Sequence, residues 1–267
     1  MSDPAPIALL HEDHDLVAAA KPSGEPVIAA RSGLRSACFQ KRLEGALGRR
    51  LWVVHRIDRD ASGVVVFALN ADAHRALSLA FEHRQVRKTY AAFVAGAIEP
   101  LRGRIEVRLH GARKGKARPA RPGETGTQAA TTEYVTRRRW MLPSRGTSMP
   151  SGSEESHGPA DPSGHGEPPP LGMASLLDVH PVTGRHHQIR VHLRSAGAPI
   201  LFDPLYGRAS VAAALSEAPC MRLALHARKI DLPSPRDHGR VVVEAPLPPD
   251  LVALAGWLDD HGLGQSL

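Results

Sequence analysis

The chain has 267 residues, of which 42% are hydrophobic, so it can bury a folded core and is not an intrinsically disordered protein. Its 34 Lys and Arg residues against 27 Asp and Glu residues give a net charge of +7, which favours polyanionic partners such as RNA. The sequence has no apolar run long enough to span a bilayer, and its first residues lack the basic and apolar regions typical of a signal peptide. Its cysteines are Cys38 and Cys220 alone, so we expect a cytoplasmic protein with reduced thiols.

The first informative segment is residues 55–63, His-Arg-Ile-Asp-Arg-Asp-Ala-Ser-Gly, directly before an apolar run over residues 64–69. The run predicts a short buried strand. Asp58 lies between basic residues and the Ser62-Gly63 turn, a placement that suits an active-site carboxylate. Asp, Ser and Gly also favour turns, so an Asx-type turn leading into a strand explains the segment equally well.

A helix is predicted after this strand. Asn70 is a typical N-cap residue, and apolar residues recur at helical spacing from Ala73 to about Gln85. An extended pattern resumes over residues 90–95. Strands and helices alternate without the regular rhythm of a doubly wound sheet, which predicts an α+β fold.

A basic run follows, with no acidic residue and with Gly and Pro interspersed, which predicts a mobile loop that contacts phosphates or is simply solvated. Its members are Arg113, Lys114, Lys116, Arg118 and Arg121. Residues 137–139, three consecutive arginines, are expected to end a strand and allow the same two interpretations.

Residues 143–170 differ in composition from the rest. The segment has 7 Pro, 5 Gly and 6 Ser in 28 positions and lacks Leu, Ile, Val, Phe, Tyr and Trp. Such a segment cannot bury enough apolar surface to offset its ordering entropy, so we expect it to be disordered. The runs 131–140 and 173–179 on either side predict two paired strands. We therefore expect a single domain, residues 1–267, with an insert at 143–170.

A second helix is predicted to begin at Thr183, as N-cap, and to end near Gly197. His186, Ile189, Arg190 and Leu193 would then share one stripe. An arginine among core aliphatic residues is expected either to pair with a carboxylate or to extend along Leu193 to solvent.

Five segments in the same order resemble the pseudouridine synthases of the RluA type, over almost the whole chain. They are residues 21–24 (Lys-Pro-Ser-Gly), 55–63, 87–90, 180–193 and 225–227. The resemblance implies a mixed, largely antiparallel sheet with flanking helices and a basic RNA-binding cleft. It begins close to the first residue, so we expect no N-terminal S4-like module.

The resemblance also implies a reaction, the isomerisation of a uridine in tRNA or rRNA to pseudouridine. Asp58 would be the nucleophile, Arg190 its salt-bridge partner, and Tyr90 a ring beside the target base. An arginine holds a carboxylate in a fixed direction and as an anion. The reaction involves no redox step, and we expect no metal, no organic cofactor, no membrane association and no obligate protein partner.

The target uridine would have to be flipped out of its RNA helix or loop. By resemblance, Arg56 would occupy the vacated space, and Lys88 would lie near a phosphate or near Asp58. His55 and Arg185 belong to the same motifs and are assigned to the RNA-binding surface. For Arg56 and Lys88, an ordinary phosphate contact or a solvated charge is the alternative.

Three residues depart from the family pattern, namely Ile57, Ala61 and His186, so fine details of hydrogen bonding are not transferred. Two other functions stay open. A non-catalytic RNA-binding module could dispense with Asp58 and Arg190. A metal-dependent nuclease or hydrolase would use ligands from His55, Asp58, Asp60, His186, His187 and His192, although their spacing matches no zinc motif.

Overall fold

The computed structural model of the protein describes residues 6–29, 38–113, 115–142 and 172–266. The segment 143–170, which we expected to be disordered, and Lys114 lie outside the described residues. Fourteen strands and five helices are found within the described part of the chain.

The strands are β1 Ala8–Glu12, β2 Leu16–Lys21, β3 Trp52–Val53, β4 Ser62–Ala68, β5 Arg87–Ala95, β6 Arg102–Glu106, β7 Leu109–Arg113, β8 Lys116–Pro119, β9 Thr127–Gln128, β10 Thr131–Met141, β11 Met173–Pro181, β12 Leu225–Pro233, β13 Arg240–Glu244 and β14 Leu263–Ser266. The helices are α1 Phe39–Leu47, α2 Ala71–Glu82, α3 Gln188–Ser195, α4 Ala209–Ala214 and α5 Pro249–His261.

Eleven of the described strands form one sheet, with the order β1-β2-β4-β12-β5-β11-β10-β14 and with β3, β6 and β13 paired at its sides. Strands β4 and β12 pair in parallel, and the other described pairs of this sheet are antiparallel. The predicted α+β class with a mixed, largely antiparallel sheet is confirmed. A second sheet, β8-β7-β9, has three strands.

Strand β4 is buried along its whole length because the sheet is covered on both faces. Val65 and Phe67 point into a core that also contains apolar residues of α1, α3 and α5. Val64 and Val66 point to the other face, where they pack with apolar residues of α2, β12 and β13. A strand that is buried on both faces has a continuous apolar sequence, which explains the consecutive valines of β4.

Several local predictions are confirmed. Asn70 caps α2 by accepting a hydrogen bond from the Ala73 N–H at 2.8 Å. Strands β4, β5, β10 and β11 lie where the apolar patterns placed strands, and β10 pairs antiparallel with β11. Cys38 and Cys220 are both buried and free.

The prediction of a mobile loop between Arg113 and Arg121 is wrong. Strands β7 and β8 form an antiparallel pair there, with Arg113 opposite Lys116. The strand is fixed by Ala117, which is buried against Val191 of α3 and Tyr206. One small apolar residue in a basic run was too weak a signal to predict a strand, although it anchors the hairpin to the main body.

The insert can be tested by deletion. Met141 of β10 lies opposite Met173 of β11, so the ends that flank segment 143–170 are already held together by strand pairing. Deleting residues 145–168 leaves a short connection and lowers the entropic cost of closing the loop between β10 and β11. We expect the thermal unfolding temperature to stay within roughly 3 °C, the shift that about 1 kcal/mol causes in a domain of this size. A much larger fall would mean that the segment packs on the domain.

Candidate active site

Asp58 lies in the loop that connects β3 to β4, and Gly63 fixes where that loop ends. The φ angle of Gly63 is 118°, and a Cβ at this position would overlap the backbone of Ala227 on β12. Glycine is therefore required for the close parallel approach of β4 to β12. The loop enters the sheet at this point, which places Asp58 above the strand junction.

Lys21, at the end of β2, stabilises the same loop by hydrogen bonds. Its side chain is only 1% exposed, and its Nζ donates to the carbonyls of Pro22 at 2.6 Å, Glu25 at 2.7 Å and Arg59 at 2.9 Å. Three donors thus meet three acceptors, which satisfies a buried ammonium. Burial lowers the pKa of Lys21 to about 8, against the opposing effect of Glu25, Asp60 and Asp58.

The turn that follows Lys21 adds three further hydrogen bonds to the loop. Ser23 Oγ donates to the Asp60 carbonyl at 2.5 Å, Gly24 N donates to the Arg59 carbonyl at 2.9 Å, and Arg59 Nε donates to the Gly24 carbonyl at 2.8 Å. The Lys-Pro-Ser-Gly segment is therefore a clamp on the residues just after Asp58.

Arg190 reaches Asp58 from α3. Its Nη1 donates to Asp58 Oδ2 at 3.4 Å, and the Asp58 side chain is 23% exposed. The expected ion pair between Arg190 and Asp58 is therefore present, but it is the weaker of two ion pairs that Arg190 forms. Arg190 Nε and Nη2 donate to the two carboxylate oxygens of Asp203 at 2.8 and 2.7 Å, a bidentate pair in which both side chains are buried.

Asp203 is held as an anion by its surroundings. Burial alone would raise the pKa of its carboxyl group, but the hydrogen bonds and charge of Arg190, together with the N–H groups of Leu205 and Tyr206, hold it below its ordinary value. The same pairing raises the pKa of Arg190 against the effect of burial. The ring of Tyr206 lies 5.1 Å from the guanidinium carbon and completes its enclosure.

The prediction that Thr183 caps this helix is wrong. Helix α3 begins at Gln188, with His187 as the N-cap residue. The Thr183 hydroxyl donates instead to Gln188 Oε1 at 2.7 Å and accepts from Thr131 N at 3.0 Å. Gln188 Oε1 also accepts from Arg185 N at 3.0 Å, so the side chain of Gln188 organises the loop that a longer helix would have replaced. His186 therefore precedes the helix and is exposed.

Asp58 lies between two cavities. The larger, of about 550 Å³, is also lined by His55, Arg56, Lys88 and Tyr90. It further contains Arg84, Glu82, Arg185 and His187 in its wall. A smaller cavity of about 290 Å³ lies on the other side, beyond Arg56, Gly184 and His187. The structure thus brings together all three residues predicted to be catalytic with four of those predicted to bind RNA.

Three of the predicted residues in the larger cavity, His55, Lys88 and Tyr90, are half-buried. Burial raises the pKa of the Tyr90 phenol, with a further contribution from the charge of Asp58. Burial also lowers the pKa of Lys88. His55 has a pKa of about 3 because of burial and the nearby charge of Lys88.

His55 is part of the structural frame. One of its ring nitrogens, Nε2, accepts a hydrogen bond from Val66 N at 2.9 Å, and the ring stacks on Phe81 at 4.9 Å between centroids. By contrast, Arg56 is exposed at the mouth of both cavities. Arg185 is half-buried and donates from Nε to the Ala129 carbonyl at 3.3 Å.

The remaining basic candidates lie away from these cavities. Lys116 is exposed and forms no ion pair with a described residue, whereas Arg118 is paired with Glu124 through both terminal guanidinium nitrogens, Nη1 and Nη2. The side chain of Arg113, like Lys114, lies outside the described part of the structure. The arginine run 137–139 is paired with acids, namely Asp178, Asp259 and Glu99 in that order, so its charges are largely countered within the protein.

The candidate metal ligands do not converge. Among the described residues, no group of three or more His, Cys, Asp or Glu side chains is arranged to hold a metal ion. His192, for example, is fully buried. Its Nδ1 is hydrogen-bonded to Thr132 Oγ1 at 2.9 Å and its Nε2 to the Val107 carbonyl at 3.2 Å. The described residues also contain no helix with the length and hydrophobicity needed to cross a membrane.

Sequence reasoning missed Asp203 and Tyr206, and it gave Lys21 no role of its own although Lys21 begins one of the segments of the resemblance. Asp203 and Tyr206 lie in the segment Asp-Pro-Leu-Tyr-Gly, where Asp203 also accepts hydrogen bonds from the N–H groups of the turn. An acid that starts a turn and a tyrosine three residues later were a usable signal, but many structural turns look the same. Nothing in the sequence indicated that this turn lies beside Arg190.

Comparison with known proteins gives one consistent family. The sequence profile described as RNA pseudouridylate synthase matches residues 15–195. A ribosomal large subunit pseudouridine synthase D from Zymomonas mobilis is 28% identical over 93% of this chain and 72% of its own length. A tRNA pseudouridine synthase C from Pasteurella multocida is 28% identical over 94% of this chain and 97% of its own length.

Solved structures agree on the fold. The human RNA pseudouridylate synthase domain-containing protein 4 is similar with a TM-score of 0.66 and 24% identity, over 94% of this chain and 93% of that chain. The human RNA pseudouridylate synthase domain-containing protein 1 is similar with a TM-score of 0.69 and 20% identity, over 100% of this chain and 93% of that chain. Both likenesses concern the fold alone.

The buried pair of Arg190 and Asp203 can be tested by stability. Asp203→Asn keeps the size of the side chain but leaves the guanidinium without its full counter-charge, so we expect a loss of roughly 3 to 5 kcal/mol in the free energy of unfolding. Asp250→Asn is the matched control, because Asp250 binds Arg222 in the same bidentate way but is 38% exposed. It should cost at most about 1 kcal/mol. Urea unfolding at neutral pH measures both, and equal losses would contradict the role given to burial.

Proposed function

The chain belongs to the RNA pseudouridylate synthase family, and on this basis we propose that it isomerises a specific uridine of structured RNA to pseudouridine with Asp58 as the nucleophile. The observation that carries the assignment of Asp58 is its position between two cavities and against Arg190. Asp58 is partly exposed, so an RNA nucleotide can reach it, whereas Asp203 is enclosed and cannot be the reacting group.

The proposed reaction breaks the N1 glycosidic bond, turns the uracil and joins its C5 to C1′ of the same ribose. One carboxylate nucleophile is sufficient for this isomerisation, and the proposal involves no metal or organic cofactor. Arg190 would fix the direction of Asp58 through Nη1, while Asp203 holds the other two guanidinium nitrogens. Tyr90, which lines the same cavity, would lie against the uracil ring.

The cavity suits an anionic nucleotide. Arg56, Arg84, Lys88 and Arg185 line it together with the carboxylates of Asp58 and Glu82. We propose that this opening is the centre of a basic cleft for RNA, and that the target base leaves its stack to enter it at a cost of a few kcal/mol. Arg56 is exposed at the mouth, where its planar guanidinium could stack in the space that the base has left.

The names of the relatives suggest the class of RNA. Of the two relatives described above, one is named for the ribosomal large subunit and the other for tRNA. We propose tRNA or rRNA as the substrate of this chain and the cytoplasm as the place of action. Mapping of pseudouridine in total RNA from cells with and without the gene would identify the site.

The nucleophile is tested with a matched pair of carboxylates in the same loop. Asp58→Asn should abolish pseudouridine formation and leave RNA affinity within a few-fold, because it removes the anion but keeps the shape. Asp60→Asn is the control and should be much milder, since the side chain of Asp60 does not line either cavity. Pseudouridine is quantified by mass spectrometry of digested RNA.

Arg190→Ala should also inactivate the protein, because the Asp58 carboxylate loses the hydrogen bond that fixes its direction. Full activity of Asp58→Asn would overturn the assignment of the nucleophile. Absence of pseudouridine with the unmodified protein on every tRNA and rRNA tested would favour the non-catalytic RNA-binding module instead.

The role of the β7–β8 hairpin is tested by two substitutions of opposite effect. Lys116→Ala removes an exposed positive charge and should weaken binding of every RNA to a similar degree. Glu124→Gln frees Arg118 from its ion pair and should strengthen binding. Lys116→Ala should make the slope of log affinity against log salt shallower by about 0.7 to 0.9, and Glu124→Gln should make it steeper by about the same amount. Both slopes are measured by fluorescence anisotropy. Unchanged affinities would mean that this hairpin is only a solvated surface.

A further inference from the structure

We propose that His187 is a further catalytic residue, which accepts the C5 proton of the uracil after the new carbon–carbon bond has formed. This inference rests on the proposed function. It assigns a proton acceptor to a step that neither Asp58 nor Arg190 performs in the mechanism above.

The position of His187 is the first argument. It lines both cavities that flank Asp58, and among its charged neighbours Asp58 has the largest electrostatic effect on it. It is also the N-cap residue of α3, with a φ of 54°. A non-glycine residue in this region costs on the order of 1 kcal/mol, and such strain is typical of functional positions. The strained backbone turns the imidazole out of the helix and toward the cavities.

Hydrogen bonds determine which nitrogen faces the substrate. The Tyr206 hydroxyl accepts from Ala117 N at 2.9 Å and donates its single proton to the Ala117 carbonyl at 3.1 Å. A proton that the hydroxyl gives to this carbonyl is not available to His187 Nδ1, which lies 3.0 Å from the same oxygen, so we assign Nδ1 as the donor of that bond. The neutral ring then carries its proton on Nδ1 and a lone pair on Nε2, which has no hydrogen-bond partner among the described residues.

The protonation states of the neighbours support the same choice. Burial lowers the pKa of His187 to about 4, against the effect of Asp58, so the ring is neutral and can accept a proton at pH 7. Tyr90 is the other candidate in the cavity, but burial raises the pKa of its phenol, which keeps the hydroxyl protonated. A weak base is sufficient here, because loss of the C5 proton restores the conjugated uracil ring.

The step balances without another reagent. When C5 of the detached uracil bonds to C1′, C5 is tetrahedral and still carries its hydrogen, and N1 is doubly bonded to C6. His187 Nε2 takes the hydrogen as a proton, the C5–H electron pair forms the C5–C6 double bond, and the N1–C6 pair moves to N1. N1 takes up a proton from solvent, and the imidazolium returns its proton to solvent. One proton has then moved from C5 to N1.

The test uses RNA with uridine deuterated at C5. Two variants are needed: His187→Ala, which removes the ring, and His187→Asn, which tolerates the positive φ angle and protects the fold. We expect kcat to fall by about 10²- to 10⁴-fold with KM within a few-fold, as for loss of a general base. A primary isotope effect on C5 should appear or increase in both variants, and added imidazole should partly restore His187→Ala.

The control variant is His238→Ala, which removes an exposed histidine in the turn between β12 and β13 and should leave rate and isotope effect unchanged. Near-normal turnover of the His187 variants would overturn the proposal. So would slow turnover with no change in isotope effect and no rescue by imidazole, which would indicate a purely structural residue. Failure of the unmodified protein to make pseudouridine would instead contradict the proposed function itself.

Discussion

The site depends on one buried cation. Arg190 is 1% exposed and placed in the apolar environment of α3, where an uncompensated guanidinium would be costly. Asp203 resolves this by binding Nε and Nη2 in a bidentate pair, which leaves Nη1 directed toward Asp58. The direction of the third nitrogen is thus set by a pair that takes no part in substrate contact. Preorganisation of this kind requires a rigid support, and helix α3 and the turn at Asp203 supply it.

The opposite side of the site is fixed by backbone geometry. The close approach of β4 to β12 at Gly63 determines where the Asp58 loop joins the sheet, and the buried ammonium of Lys21 binds that loop to the turn after β2. Two independent supports therefore meet at Asp58, one from the sheet and one from α3. Movement of either by an ångström would separate Asp58 from Arg190, because their contact at 3.4 Å is already long.

The parts that could be predicted from sequence are those governed by local patterns. The valines of β4, the Asn70 cap and the strands of β10 and β11 follow from apolar periodicity and capping chemistry. The family resemblance predicted that Asp58, Arg190 and Tyr90 lie together, while their catalytic roles stay predictions. The start of α3 was predicted wrongly because the Thr183 hydroxyl has a tertiary partner, Thr131, that no local pattern contains. Asp203 was missed for the same reason, since its role depends on a neighbour thirteen residues away.

The two carboxylates on Arg190 divide two tasks that a single residue could not combine. A carboxylate bound by two short hydrogen bonds in a dry environment is held strongly, and its lone pairs are engaged, which makes it a poor nucleophile. A carboxylate that approaches only one nitrogen at 3.4 Å and is 23% exposed keeps an oxygen available for substrate. Asp203 therefore satisfies the charge of Arg190, and this leaves Asp58 oriented but not neutralised. In the proposed reaction, the tight pair with Asp203 is a condition for the reactivity of Asp58, so the tighter contact of Arg190 is not with the residue proposed to react.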